Sequence, residues 1–352
     1  MGSNKLHRSF NQGDDFDEIS GDLTQGGKQG DVPYGTLASI HESSLQFGLI
    51  YTGSDDGLIH VTKDGGSSWT NITGSLPSDL WVASVQASGH EKGRVYASLN
   101  GYRWDDFNSY CYRSDDFGNT WNSIGRNLPA EPVNVLKEDP QNQDLLYVGT
   151  DHGTYYSLDG GNSFQAFSNG LPAVPVHDLV IHPRENDLIL GTHGRSFYKA
   201  SVEELQKLDS ETLAKELVVF DVPASGMRPS SRWGSKRANW GEFIEPEVHL
   251  PIYSKSGGNA QIEITHGDMT LHSWSEKLTP GLNFIAYDIS MSGDKVNAFQ
   301  QKINEKVKKK KEEVKIEKAD NEIYYLPGGK YLIKMRHSGV SQETTFELKS
   351  GR

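Results

Sequence analysis

Acidic side chains that could perform acid–base chemistry stand in glycine turns that end apolar strand patterns. Asp55 and Asp56 precede one such glycine, and Asp151 precedes His152 and the next. Glycoside hydrolysis uses two carboxyl groups about 5–10 Å apart across the scissile bond. We therefore take Asp151, Asp55 and Asp56 as candidate catalytic residues, while noting that aspartates at such positions also suit ordinary turn chemistry.

A longer turn over residues 100–109 alternates aromatic and charged side chains. Tyr102 and Trp104 offer flat faces for stacking on a sugar ring, and Arg103 and Asp105 offer groups for its hydroxyls. Aromatic residues between charges favour a binding loop, and the alternative is a loop folded onto its neighbour. The corresponding turns hold three further candidate ligand-binding residues: His152, His193 and Arg195.

Composition disfavours several other kinds of site. A single cysteine, Cys111, leaves no intrachain disulfide and no CxxC site. The histidines show no HxH or HExxH spacing, so we predict no metal and no other cofactor. The net charge of −12 argues against nucleic-acid binding, and no apolar run reaches membrane-helix length.

An octapeptide of the form Ser/Thr-x-Asp/Asn-x-Gly-x-(Ser/Thr/Asp)-(Trp/Phe), the Asp box, occurs four times. The copies start at Ser9, Thr62, Ser114 and Ser157, so they are 53, 52 and 43 residues apart. This spacing suits one four-stranded propeller blade per copy. The Asp or Asn accepts backbone hydrogen bonds across a turn, and the glycine takes a positive φ. We therefore predict a structural role for the third residue of each box: Asn11, Asp64, Asp116 and Asp159.

The boxes stand within a repeated order of strand, strand with glycine turn, strand, box and strand. This order predicts full blades over residues 33–73, 80–124 and 132–167, with partial blades at the N-terminus and over 176–199. The partial blades pair into a fourth blade, or the chain is part of a larger propeller, which we favour. An incomplete propeller exposes strand edges, so self-association or pairing with the remaining blades is expected.

The Asp boxes and the Gly-Thr-Asp-x-Gly turn resemble bacterial neuraminidase repeats. Residues 175–195 resemble the last blade of exported bacterial proteins in the sortilin-like, glycosyl-hydrolase-like group. The resemblance implies an extracellular or periplasmic β-propeller that binds a glycan or a peptide. The alternative that it implies is a xyloglucanase-like glycoside hydrolase, which needs further blades for a complete active site. A sialidase would need an arginine cluster that residues 1–200 lack.

The fold class predicted for the whole chain is all-β, with propeller blades over residues 1–200 and a second domain at the C-terminus. Residues 201–245 predict a short helix, opened by a capping box at Ser201, and then a wrapping linker. The alternating strands of residues 246–352 fit an immunoglobulin-like β-sandwich. A Lys-rich helical insert is predicted at about 293–320. Its charge run over 302–318 is typical of a solvated helix face, and membrane or polyanion contact is the alternative.

Overall fold

The computed structural model describes residues 3–26, 35–167, 170–222, 227–238, 241–305 and 313–349. Antiparallel strands dominate these residues, so the all-β prediction is confirmed. The chain divides into two compact units, residues 1–209 and 210–352. No helix in the described ranges has the length and apolar character needed to cross a membrane.

The first unit is a series of antiparallel sheets that follow one another along the chain. An N-terminal hairpin, β1 (His7–Arg8) and β2 (Asp17–Glu18), comes first. Blade one consists of β3 (Leu37–Glu42), β4 (Ile50–Ser54), β5 (Ile59–Thr62) and β6 (Thr70–Asn71). Blade two consists of β7 (Trp81–Ala87), β8 (Val95–Gly101), β9 (Asp106–Ser114) and β10 (Asn122–Ile124).

Blade three and a three-stranded sheet complete this series. Blade three consists of β11 (Val133–Glu138), β12 (Leu146–Thr150), β13 (Thr154–Ser157) and β14 (Gln165–Ala166). The last sheet consists of β15 (Val176–His182), β16 (Asp187–Thr192) and β17 (Phe197–Ser201), followed by α1 (Glu203–Gln206). Each sheet pairs its strands in sequence order, as propeller blades do.

Hydrogen bonds join the first strands of successive blades. The Val85 amide donates to Ser39 Oγ at 2.9 Å, between blades one and two, and Ser84 Oγ donates to the Leu136 carbonyl at 3.4 Å, between blades two and three. The sheets are therefore stacked blade on blade. The N-terminal hairpin and the last sheet form separate sheets among the described residues, so they are not observed to pair into a fourth blade.

Because the strands of a blade alternate in direction, its turns fall on two opposite faces. The turns between second and third strands share one face with the connections between blades, and we call this the turn face. The Asp boxes join third and fourth strands and lie on the opposite face. The blades thus place the candidate binding residues and the boxes at opposite ends of the strands.

The second unit contains two antiparallel sheets around one core. One sheet has the order β18 (Leu217–Val219), β19 (Val248–Ser254) and β22 (Gly281–Tyr287). The other has the order β21 (Met269–Leu278), β20 (Gly258–His266), β25 (Gly329–His337) and β26 (Val340–Leu348). Apolar side chains of both sheets, such as Ile252 and Ile333, belong to the same buried cluster. Two helices, α2 (Ser210–Ala214) and α3 (Val296–Asn304), and a short pair, β23 (Ser290–Met291) and β24 (Tyr324–Tyr325), complete the unit.

The two predicted helices differ in detail from the observed ones. The first helix is capped by Val202 without a side-chain hydrogen bond, so Ser201 does not open a capping box. The predicted helical insert at about 293–320 contains α3, which ends at Asn304; residues 306–312 lie outside the described residues, and residues 313–319 are not helical. The Asn304 side chain donates to the Val314 carbonyl and accepts from the Val314 amide, and these bonds hold Val314 against the end of α3.

Candidate functional site

The predicted loop of residues 100–109 is the end of the β8–β9 hairpin, which closes in a short turn. Strand β8 continues to Gly101, which pairs with Asp106 at the start of β9, and residues 102–104 form one turn of 3-10 helix between them. Asp106 accepts hydrogen bonds from the Tyr110 hydroxyl at 2.7 Å and the Asn108 amide at 3.1 Å. Burial alone would raise the pKa of the Asp106 carboxyl. These hydrogen bonds outweigh burial, so the pKa lies below its ordinary value. The loop is therefore braced by its own side chains.

The tip of this hairpin exposes three aromatic rings: Tyr102, Trp104 and Phe107. They are between 39% and 59% exposed, and Tyr102 and Phe107 meet edge to face at 6.2 Å. The base instead contacts the connection to blade three, where Ser109 Oγ donates to the Glu131 carbonyl at 2.9 Å. The base of the loop thus folds onto its neighbour, while its aromatic tip stays exposed.

Two buried asparagines link the hairpin to Asp151. The Tyr102 amide donates to Asn100 Oδ1, Asn100 Nδ2 donates to Asn134 Oδ1, and Asn134 Nδ2 donates to Asp151 Oδ1, each at 2.9 Å. Asn100 and Asn134 are almost completely buried. Buried amides that satisfy each other in this way fix one geometry, so the aromatic tip and the Asp151 carboxylate are held in one arrangement across blades two and three.

A second carboxylate lies beside Asp151 on the turn face. Glu131, in the connection before β11, accepts a hydrogen bond from Thr150 Oγ1 at 2.7 Å. The largely exposed His152 ring approaches the same carboxylate, with Nδ1 at 3.6 Å from Oε1. Asp151, His152 and Glu131 therefore form a polar group next to the aromatic hairpin.

Asp55 and Asp56 are held inside a turn. Asp56 is fully buried and accepts hydrogen bonds from the Gln25 amide at 2.7 Å and Ser54 Oγ at 2.5 Å. Asp55 accepts from both the amide and the hydroxyl of Thr36. The expectation that these two carboxylates are catalytic is not favoured by this geometry, because their oxygens are used by neighbouring backbone and side chains.

His193 and Arg195 are exposed on the turn between β16 and β17. The His193 ring meets His177 edge to face at 5.5 Å, and its amide donates to the Pro175 carbonyl. Within the described residues, no hydrogen bond or ring contact joins His193 or Arg195 to the hairpin of blade two. The same residues contain no group of three His, Cys, Asp or Glu side chains that could hold a metal ion.

The Asp boxes form closed turns on the opposite face. Asp64 accepts hydrogen bonds from Ser68 Oγ at 2.6 Å, the Ser68 amide at 2.9 Å and Thr62 Oγ1 at 2.7 Å. These hydrogen bonds, of which the one from Ser68 Oγ has the largest effect, lower the pKa of Asp64 to about 2. Asp116 and Asp159 repeat the pattern, and Asn11 accepts from the Asp15 amide at 3.0 Å.

Sequence reasoning missed Asn134, Glu131 and Trp81. The Arg103 guanidinium lies over the Trp81 ring at 4.9 Å, which places Trp81 at the base of the site. Asn134 has a signal in the sequence, since it is the one polar residue in Val133-Asn-Val-Leu136, where an amide requires a buried partner. Glu131 stands in a proline-flanked connection and has no comparable signal.

Comparison with known proteins gives structural neighbours only. No protein-family model matches the sequence, and no curated protein matches it. An ancestral GH74 enzyme is similar over 82% of this chain and 36% of its own, with 13% identity and a TM-score of 0.43. YCF48 bound to D1 peptide is similar over 73% of this chain and 72% of its own, with 15% identity and a TM-score of 0.40. The GH74 xyloglucanase from Xanthomonas campestris is similar over 76% of this chain and 40% of its own, with 10% identity and a TM-score of 0.38.

This chain thus spans well under half of the length of either GH74 enzyme.

Proposed function

We propose that this chain is a binding module of a β-propeller protein and that the hairpin of blade two holds a glycan. The observation that carries this proposal is the exposed aromatic tip, which two buried asparagines fix beside Asp151. The proposal includes an extracellular or periplasmic location and membership of the sortilin-like group, both supported by the sequence resemblance.

Exposed rings on a rigid support favour a stacking ligand. Ordering a flexible side chain on binding costs about 0.5–1.5 kcal/mol, and a hairpin braced before binding avoids much of this cost. Trp104 and Tyr102 present apolar faces, while Arg103, Asp105 and His152 supply charged or polar groups nearby. Sugar rings combine an apolar face with hydroxyls around the edge, so they match this surface. A peptide is the competing ligand.

Hydrolysis of the bound glycan is the second candidate function. Asp151 and Glu131 are carboxylates on the turn face. Asn134 donates a hydrogen bond to Asp151, while Thr150 and His152 contact Glu131. A glycosidase needs one carboxyl group as acid and another as base or nucleophile. We infer that such an activity would need further blades to close the cleft.

A glycan array combined with a polysaccharide-hydrolysis screen tests both candidates. We expect Trp104→Ala to abolish glycan binding and Asp151→Ala to weaken it. The control is Phe47→Ala, which removes an aromatic ring that is 74% exposed, against 39% for Trp104, from a turn of blade one on the opposite face. Binding that is lost equally in Phe47→Ala would contradict the assigned site.

The same screen separates the alternatives. Release of reducing ends that Asp151→Ala and Glu131→Gln abolish would establish the hydrolase instead of a pure binding module. No glycan binding together with capture of a peptide ligand, lost in Trp104→Ala, would show that the hairpin binds a protein.

For the second unit we infer an immunoglobulin-like β-sandwich. Its two antiparallel sheets around one core support this assignment. Secondary chemical shifts measured for this unit would test the paired strands, and strand connectivity different from a Greek key would argue against it.

A further inference from the structure

The N-terminal hairpin has the register of the outer two strands of a blade. The Ile19 amide donates to the Leu6 carbonyl at 2.9 Å, on either side of the first Asp box. In blade one the Ile72 amide makes the same bond to Ile59 at 2.8 Å, and in blade three Phe167 makes it to Thr154 at 2.7 Å. Strands β1 and β2 therefore correspond to the third and fourth strands of a blade.

This hairpin also contacts blade one as a complete blade contacts its successor. Trp69 Nε1 donates to the Ile19 carbonyl at 2.8 Å, and Trp121 Nε1 donates to the Ile72 carbonyl at 2.7 Å. The hairpin thus has the same contact with blade one that blade one has with blade two. It occupies the outer half of a blade position that precedes blade one.

Among the described residues, no strand fills the inner half of that position. Ile40 on β3 corresponds by strand register to Val85, Leu136 and Leu179 on the first strands of the other sheets. Ile40 is 55% exposed, whereas its three counterparts are 2%, 1% and 1% exposed. Val85 belongs to a core cluster that includes Tyr51 of blade one, so the preceding blade is what covers this position elsewhere.

A groove marks the missing half. Leu6, His7 and Phe16 of the hairpin form one wall and residues 37–40 of β3 form the other, around a cavity of about 850 Å³. Among the described residues, no strand pairs with the second edge of β1. The groove therefore combines an apolar floor with one strand edge that no described strand pairs with, and Ser3, whose carbonyl accepts a hydrogen bond from the Leu37 amide, also lines it.

We infer that this groove is a strand-acceptor site whose occupant is the inner strand pair of a further blade built on the same pattern. The pattern also sets a requirement on that occupant. In the second strands of blades one and three, Gly53 and Gly149 press against Val82 and Val176 of the next sheet, where a Cβ would come within 2.4–2.9 Å. The occupant must carry a small residue where it crosses Leu37, the counterpart of Val82 and Val176.

A graft into the full chain tests this inference. A second copy of residues 132–153, which carry β11, β12 and the turn that leads into β13, is placed directly before Leu6, in place of residues 1–5. Counted from the start of its Asp box, Leu6 corresponds to Thr154, the first residue of β13. The grafted strands are therefore separated from Leu6 by the same number of residues that separates β11 and β12 from Thr154 in blade three. The matched control graft carries Gly149→Val within the added copy.

Thiol labelling reports whether the groove is filled. Ile40→Cys is introduced into the original and the grafted chains, and Val180→Cys, 53% exposed on the last sheet, serves as the control site. The native Cys111 is buried, and burial raises the pKa of its thiol to about 12, so it does not compete. We expect the graft to slow labelling at Ile40→Cys about tenfold or more because access then requires local opening, with no change at Val180→Cys.

Three results would overturn the inference. The first is labelling of Ile40→Cys that stays as fast in the grafted chain as in the original, and the second is labelling that slows equally in the Gly149→Val control graft. The third is slow labelling in the ungrafted chain together with a dimer in light scattering that Ile40→Asp dissociates. That result would show that a second copy of the chain covers the face.

Discussion

Single residues of the Asp boxes couple folding to pH. Hydrogen bonds from Ser68 and Thr62 lower the pKa of Asp64 to about 2 from an ordinary 3.8. A carboxyl group with a depressed pKa stabilises the folded state above its unfolded pKa, and this contribution is lost as pH falls from about 4 to about 2. We expect the difference in Tm between the native chain and Asp64→Asn to shrink over this range. The exposed Asp17→Asn serves as control, and a difference that does not change with pH would contradict the linkage.

Asn134 is the residue on which the candidate site depends most. Asn134→Ala removes the bonds to Asn100 and Asp151 and leaves buried groups unpaired, so the free energy of unfolding should fall by about 1–3 kcal/mol. Because the hairpin also loses its link to Asp151, glycan binding should weaken in calorimetry.

The control for this variant is Asn142→Ala in the same blade. Asn142 is also buried, but its side chain donates to the Gln206 and Leu208 carbonyls at the opposite end of the strands. It should lower stability in urea unfolding and leave binding intact. Equal loss of binding in both variants would show that Asn134 acts only through overall stability.

At the scale of elements, box glycines set the contact between blades. A Cβ on Gly118 would lie 2.3 Å from Ile72 Cδ1 of the preceding blade, whereas no atom of the described residues lies within 4 Å of a Cβ on Gly26. Both glycines have nearly the same positive φ, +86° and +84°, so both alanine variants share the backbone strain.

The difference between these variants therefore measures the blade contact. We expect Gly26→Ala to cost about 1 kcal/mol and Gly118→Ala to cost about 1–3 kcal/mol more, measured by urea unfolding. Similar losses in the two variants would mean that the blades can separate at this point without penalty.

At the scale of the whole molecule, the chain consists of two units with separate cores. Residues 210–352 enclose a buried cluster that joins both of their sheets, including Leu250, Ile264 and Met335. We therefore expect a fragment of residues 210–352 to fold alone, with a cooperative thermal transition in circular dichroism. A fragment that lacks dispersed amide resonances would show that this unit depends on the first one.

The sequence by itself determined the features that arise within a few residues or from regular spacing. The Asp64 turn closes through Ser68, four residues along the chain, and three full blades follow from the spacing of the boxes. Such contacts need no distant partner, so residue type and interval are sufficient to predict them.

Tertiary structure alone decided the rest. The bond between Asn100 and Asn134 joins residues 34 apart, on different blades. Likewise, the helix of the insert predicted at about 293–320 ends at Asn304, whose side chain binds the backbone of Val314. The exposure of Ile40 depends on which blade lies beside it. These outcomes depend on groups that meet only after the chain has folded, and side-chain hydrogen bonding and burial there override local helix and strand preferences.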